Sequence, residues 1–163
     1  MREAGRGSGL VPLSPKVNEN VMLLHIIARG RIGRSPEAEL VARYMKRVSW
    51  AQKISELPDT GGRVPAAPDN SRTILLDEGG EQMSSLEFAR LLESWRDAGV
   101  REARFCLGAA DGFTPDEREG ADKVIAFGRA TWPHLMARAM LAEQLWRAIS
   151  IIAGHPYHRE GRQ

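Results

Sequence analysis

The closing stretch of the chain, Asp122 to Gln163, constrains its fold more than any other segment. Lys123–Phe127 has the composition of a short buried strand and Gly128–Pro133 that of an irregular loop; a long apolar helix follows, stopped by Gly154. Apolar residues occupy nearly every face of that helix, so it belongs inside a core or an interface rather than on the outside of a monomer. Beyond the glycine stop, His155, Pro156, Tyr157, His158, Arg159 and Glu160 gather titratable and hydrogen-bonding groups where the helix ends. The pattern implies a buried helix lying between a loop suited to a ligand and a tail suited to touching a substrate.

A chain of 163 residues is long enough for one domain with a sizeable core. Residues 1–20, rich in Gly, Pro, Ser and Asn, read as a disordered N-terminal extension, and residues 21–163 as the single domain. The start lacks the apolar centre and small-residue cleavage site of a secretory leader. No apolar run approaches the roughly 20 residues that span a bilayer. Cytoplasmic residence without a membrane partner is therefore expected. One cysteine, Cys106, excludes an intramolecular disulfide and a cysteine-rich zinc site, and no metal is expected; the side chain reads as a small buried hydrophobe. The net charge is only +2, yet the basic residues are overwhelmingly arginine, with lysine at positions 16, 46, 53 and 123 alone. Arginine suits bidentate contact with phosphate, but a genome rich in G and C explains the bias equally well.

From residue 21 the chain alternates strand and helix. Val21–Arg29 is nearly continuously apolar, as expected of a strand covered on both faces of a parallel sheet. Ser35 followed by Pro36 starts a helix, with Leu40, Val41, Tyr44, Met45 and Val48 on one stripe. Trp50–Leu57 is a weakly patterned strand, and Pro58–Arg72, with three prolines and two glycines, is a loop. Thr73–Asp77 is a buried strand. Ser84 and Glu87 form a capping box for a helix to about Ala98, with Leu91, Leu92 and Trp95 inward. Arg104–Leu107 is a fourth strand, and Thr114 with Glu117 is a second capping box. Alternation with short links implies an α/β fold, a parallel sheet flanked by helices.

In open α/β sheets, ligands bind beyond the carboxyl ends of the strands. Leu76–Gly80, Leu107–Gly112 and Gly128–Pro133 all follow predicted strands, and their glycines allow close approach of backbone to a ligand. None forms the glycine fingerprint of a dinucleotide site or a phosphate loop with its lysine. Taken together, the glycine-rich turn from Gly108 to Gly112, the loop ending Thr131-Trp132-Pro133-His134, the helix segment Leu141–Ala148 and the closing His155–Glu160 resemble the ribosomal RNA large subunit methyltransferase H family of the SPOUT class. The likeness runs from about Met22 to Glu160 and is most specific in the C-terminal third.

The resemblance implies a C-terminal deep trefoil knot, a homodimer, S-adenosylmethionine as methyl donor, and methylation of N3 of a pseudouridine in helix 69 of large-subunit ribosomal RNA, either free or in an assembled ribosome. It places cofactor contacts at Leu76, Gly108 and Ala109, and at Gly128, Arg129, Ala130, Thr131, Trp132 and Pro133. Tail residues Tyr157, His158 and Arg159 are implied to reach the target base from the partner subunit, with His134 and Arg138 nearby. Because N3 carries an imide proton that must leave, His158 is the expected aid to proton loss, with Arg159 and Arg138 holding phosphate or developing negative charge. Trp132 reads as packing beneath the cofactor and Arg147 as pairing with Glu143 along the helix. Met136, Met140, Leu141, Leu145, Ile149 and Ile152 read as core or dimer interface. Two positions depart from the family pattern. Ala109 stands where many members have glycine, and Pro58–Arg72 is too short for the helix that many carry there. A methyltransferase of the same class with another RNA target, and an inactive dimeric RNA-binding or ribosome-assembly protein, are the alternative readings.

Overall fold

The computed structural model describes residues 22–60, 64–108 and 112–154. The N-terminal extension, Ala109 and the tail residues His155, Tyr157, His158 and Arg159 lie outside the described residues.

β1 (Leu23–Arg29) is buried through its centre, as its apolar run requires. The Ser35 hydroxyl accepts the Ala38 amide at 3.1 Å and opens α1 (Pro36–Arg47), with proline where no amide donor is needed. β2 (Gln52–Leu57) is a true strand despite its weak pattern. It is an edge strand, paired only to β1 and largely exposed, so little selects for alternation. β3 extends from Ser71 to Gln82, well past the Asp77 expected. Both capping boxes form, at Ser84 for α2 (Ser85–Asp97) and at Thr114 for the short α3 (Pro115–Glu119). Between them lies β4 (Glu102–Leu107), and β5 (Lys123–Ala126) precedes the long α4 (His134–Ile152). No helix occurs among the described residues between β2 and β3, in keeping with the proline-rich link.

The five strands lie in the order β2-β1-β4-β3-β5, and every pairing is parallel. Strand alternation sends Leu24, Ile26, Ile74, Ala103 and Phe105 into one core with α1, α2 and α4. There α4 contacts both α1 and α2 and buries Leu141, Ala142, Leu145, Ala148 and Ile149. The opposite face has a smaller core of Ile27, Leu75 and Cys106, covered by Leu57, Val64, Phe113, Ala121 and Val124. Burial there pushes the Cys106 thiol up to about 11, so it stays protonated and unreactive near neutrality. Buried polar groups share this face. His25 hydrogen-bonds the Ser55 hydroxyl at 2.7 Å, and the Arg104 guanidinium donates to the Pro65 carbonyl at 2.6 Å. Although His25 lies 3.3 Å from Glu102, burial outweighs that carboxylate and lowers the imidazole pKa, keeping the ring neutral.

One local pairing shapes everything at the C-terminal edge. Ile125 of β5 pairs with Leu76 of β3 and again with Glu81, so residues 77–80 leave the strand line and return to the same partner. Gly79 and Gly80, expected in a turn beyond the strand, therefore lie within this excursion. A Cβ at Gly80 would stand 2.7 Å from the backbone atoms of Val124 and Ile125. Those atoms belong to the sheet and cannot yield without breaking it. Gly80→Ala is accordingly expected to cost about 1–3 kcal/mol, as overpacking does, visible as a fall of several degrees in the thermal unfolding midpoint. An unchanged midpoint would show that β3 and β5 are not in such close contact.

Candidate active site

The sheet brings the carboxyl ends of β4, β3 and β5 side by side, and the segments after them enclose a cavity of about 640 Å³. That volume lies within the range of small-molecule sites, roughly 300–1,000 Å³. Leu76, Leu107, Ile125 and Phe127 supply apolar surface, while Asp77, Glu78 and Arg118 supply charge. Along one side runs the β5–α4 loop, with Gly128, Ala130, Thr131, Trp132 and Pro133, followed by His134 and Ala137 of α4.

Two contacts hold that loop. The Thr131 hydroxyl donates to the Glu78 carboxylate, joining the loop to the β3 excursion, and the Trp132 indole N–H donates to the Phe127 carbonyl at 2.9 Å. Trp132 nevertheless keeps 42% of its surface exposed, an expensive arrangement for an indole that nothing further covers in the single chain. Opposite, the Arg118 guanidinium donates to Asp77 at 2.8 Å. Gly108 has a reason of its own to be glycine. A Cβ there would come within 3.1 Å of the Phe113 ring, so a side chain would need that ring to give by a few tenths of an ångström even before a ligand is considered.

Of the residues singled out from sequence, Leu76, Gly108, Gly128, Ala130, Thr131, Trp132, Pro133 and His134 all line the cavity. Arg129 is exposed and does not line it. Ala109, Tyr157, His158 and Arg159 fall outside the described residues. Arg138 does not line the cavity. It is 1% exposed and forms a 2.6 Å ion pair with Glu56 at the end of β2, while its second terminal nitrogen donates to the Gly30 carbonyl at 3.1 Å. Both terminal nitrogens are thus engaged within the fold, while Nε is buried without a hydrogen-bond partner. The expected Arg147–Glu143 pair does form, with Nε 2.9 Å from the carboxylate. Asp77 and Glu78 fell within the Leu76–Gly80 segment but were given no role, and Phe113 and Arg118 were not picked out. Two acids directly after a buried strand are a readable signal, whereas Phe113 and Arg118 reach the cavity only through the turn of α3.

Glu56 also accepts the Ile32 amide at 2.7 Å, so one carboxylate ties α4, β2 and the β1–α1 loop together. The Arg138 hydrogen bond, aided by that of Ile32 and opposed by partial burial, holds the Glu56 carboxyl below its ordinary pKa. This network adjoins the cavity, since the space beside Gly30 is bounded by Asp59 and by the His134 ring.

A family model described as predicted SPOUT methyltransferase matches residues 22–158. The chain belongs to the SPOUT methyltransferases. Its relatives named ribosomal RNA large subunit methyltransferase H include one from Sphingopyxis alaskensis, 92% identical over 87% of this chain and 100% of its own length. Another, from Novosphingobium aromaticivorans, is 67% identical over 86% of this chain and 100% of its own length. These identities place the chain in the methyltransferase H group of the SPOUT family. A solved structure described as a probable methylase family protein from Haemophilus influenzae Rd KW20 has the same fold, with TM-score 0.55, 15% identity, and coverage of 89% of this chain and 72% of its own. Relatives at 41–43% identity align over 151–159 positions while covering 85% of this chain, so they carry residues that it lacks. That deficit has the sign expected of a shortened β2–β3 link.

Removing Glu56 would strand a buried guanidinium, a change that typically costs about 3–5 kcal/mol. Because the Glu56 side chain is 35% exposed, the low end of that range is expected for Glu56→Ala. The pH dependence has a definite sign. A carboxyl with a depressed folded-state pKa contributes stability above its unfolded pKa and loses it as pH falls through the folded value. Thermal melts from pH 7 down to pH 3 are therefore expected to fall less steeply for Glu56→Gln than for the parent chain, and parallel acid limbs would count against the ion pair.

Proposed function

We propose that this protein is an S-adenosylmethionine-dependent methyltransferase acting on N3 of a pseudouridine in helix 69 of large-subunit ribosomal RNA, and that it works as a knotted homodimer in the cytoplasm. The observation that carries this reading is the cavity at the ends of β3, β4 and β5, bounded by the Gly128–His134 loop in a chain of the SPOUT methyltransferase family. The name shared by relatives of up to 92% identity supports ribosomal RNA as substrate. Membership of the SPOUT family supports the knot. Exposed Trp132 and Met136 at the start of α4 support a partner subunit against that face.

The residues present suit the donor. Leu76, Ile125 and Phe127 offer apolar surface to a nucleoside, while Asp77 and Glu78 place carboxylates where a cationic ligand gains from them. Arg118, ion-paired to Asp77, completes that wall. When bound, S-adenosylmethionine supplies a methyl group already activated on a positive sulfur. The protein's task is then alignment, which alone contributes several kcal/mol. Rigid attachment of Thr131 to Glu78 and of Trp132 to Phe127 fixes the loop that orients the donor. On the substrate side, His158 assists removal of the N3 proton and Arg159 meets the developing negative charge, with Tyr157 and His134 holding the base. Arg138, which also holds the β1–α1 loop, adds positive charge near the developing negative charge. Among the described residues no group of side chains is arranged to hold a metal ion and no helix is long and apolar enough to cross a membrane.

Titration calorimetry with S-adenosylmethionine separates an enzyme from an RNA-binding protein that kept the fold, since the latter gives no heat. Mass spectrometry of ribosomal RNA nucleosides from cells with and without the gene identifies the target, and loss of a methylated pseudouridine is the expected result. His158→Ala is expected to keep cofactor affinity while slowing methylation by about 10²–10⁴. Turnover equal to the parent would remove His158 from the mechanism.

A further inference from the structure

The loop between β1 and α1 is built more firmly than a connection needs to be. In Gly30–Arg34, the Gly30 amide donates to the Leu57 carbonyl at 2.8 Å, the Gly30 carbonyl accepts from Arg138, and the Ile32 amide donates to Glu56. The backbone on both sides of Arg31 is thus pinned to one buried ion pair, and Ser35 caps the helix directly beyond Arg34. Burying a guanidinium is costly, and exchanging such a pair for apolar side chains is often neutral or stabilising. Stability alone gives it little reason to exist.

What the pinned loop presents is charge. Arg31 and Arg34 are exposed and form no ion pair or hydrogen bond among the described residues. Glu56, which accepts the Ile32 amide, is ion-paired to Arg138 and feels the charge of Arg31 only as a weaker Coulomb attraction. Asp59 stands beside Gly30. A third exposed and unpaired arginine, Arg129, lies between the cavity-lining Gly128 and Ala130. Gly30 adjoins His134, which itself lines the cavity. Free guanidinium groups therefore occupy both loops that border the site, while Arg90, Arg96, Arg118 and Arg147 are each paired with an acid.

We propose that Arg31 and Arg34, with Arg129 on the facing loop, form a rigid phosphate-binding rim that grips the RNA backbone on either side of the nucleotide presented to the cavity, and that Arg138 and Glu56 are positioning residues for it. This rests on the reading of RNA as the substrate. Planar guanidinium groups on a fixed backbone suit bidentate contact with phosphate and lose little freedom on binding. Such contacts set register on the strand rather than sequence choice, which the base pocket supplies.

The test compares the full-length parent with an Arg31→Ala/Arg34→Ala/Arg129→Ala variant and with Arg101→Ala. Arg101 is also exposed and unpaired but precedes β4, at the opposite edge of the sheet. The probes are large ribosomal subunits purified from cells lacking the gene, with S-adenosylmethionine affinity followed by calorimetry. Arg31→Ala/Arg34→Ala, which leaves the Gly128–Pro133 loop intact, should bind the cofactor within about twofold of the parent, and in the triple variant KM for subunits should rise tenfold or more. Each lost phosphate contact should flatten the dependence of log affinity on log salt by about 0.7–0.9, so a flattening of about 2 is expected for three. Arg101→Ala should behave as the parent. Equal affinity and salt slope in the triple variant, or equal losses in Arg101→Ala, overturn the proposal while leaving the enzyme reading intact. A parent protein that binds cofactor but neither binds nor methylates the subunits overturns the substrate reading, and the rim with it.

Discussion

Backbone contact between β3 and β5 is the constraint on which the rest of this molecule depends. β5 is only Lys123–Ala126, too short to hold its place by its own burial, and β3 pairs with it both before and after the Asp77–Gly80 excursion. That arrangement sets the direction in which the chain leaves β5, and so the course of the Gly128–Pro133 loop and the start of α4. It also puts Asp77 and Glu78 at the wall of the cavity, because they sit in the excursion itself. One hydrogen bond, from Thr131 to Glu78, then couples the two segments directly.

A second constraint acts from the other side of the site. α4 lacks a side-chain cap at its first turn, and its apolar surface gives it no preferred rotation about its axis. The buried Arg138 favours one rotation, since both of its terminal nitrogens find acceptors where Glu56 and the Gly30 carbonyl converge. A polar group that must be paired specifies an arrangement that many apolar packings would leave open. The same ion pair stiffens the loop that displays Arg31 and Arg34, so the geometry of the cavity and of its basic rim have a common support.

Much of the architecture was legible in the chain. Apolar runs located β1, β3, β4 and β5, and Ser35, Ser84 and Thr114 located the helix starts, because caps and burial are local and leave a local trace. β2 left a faint trace, being an edge strand with one neighbour. Most of the expected cofactor residues line one cavity, since turns after parallel strands share an edge of the sheet. The ion pair of Arg138 left no trace in the chain. An arginine on an apolar helix looks like a functional charge whether it faces a ligand or a distant glutamate, and its partner lies 82 residues away.

Local pattern by itself therefore determined the strands, the helix starts, the order of α and β units and the membership of the family. Tertiary structure alone decided that Ile125 would be paired twice, that Gly80 must be glycine for the sake of another strand, and that Arg138 would serve the fold. The reason is physical. Hydrophobic periodicity and capping act between residues a few positions apart, whereas close backbone approach and buried charge pairing join segments that meet only once the sheet has assembled.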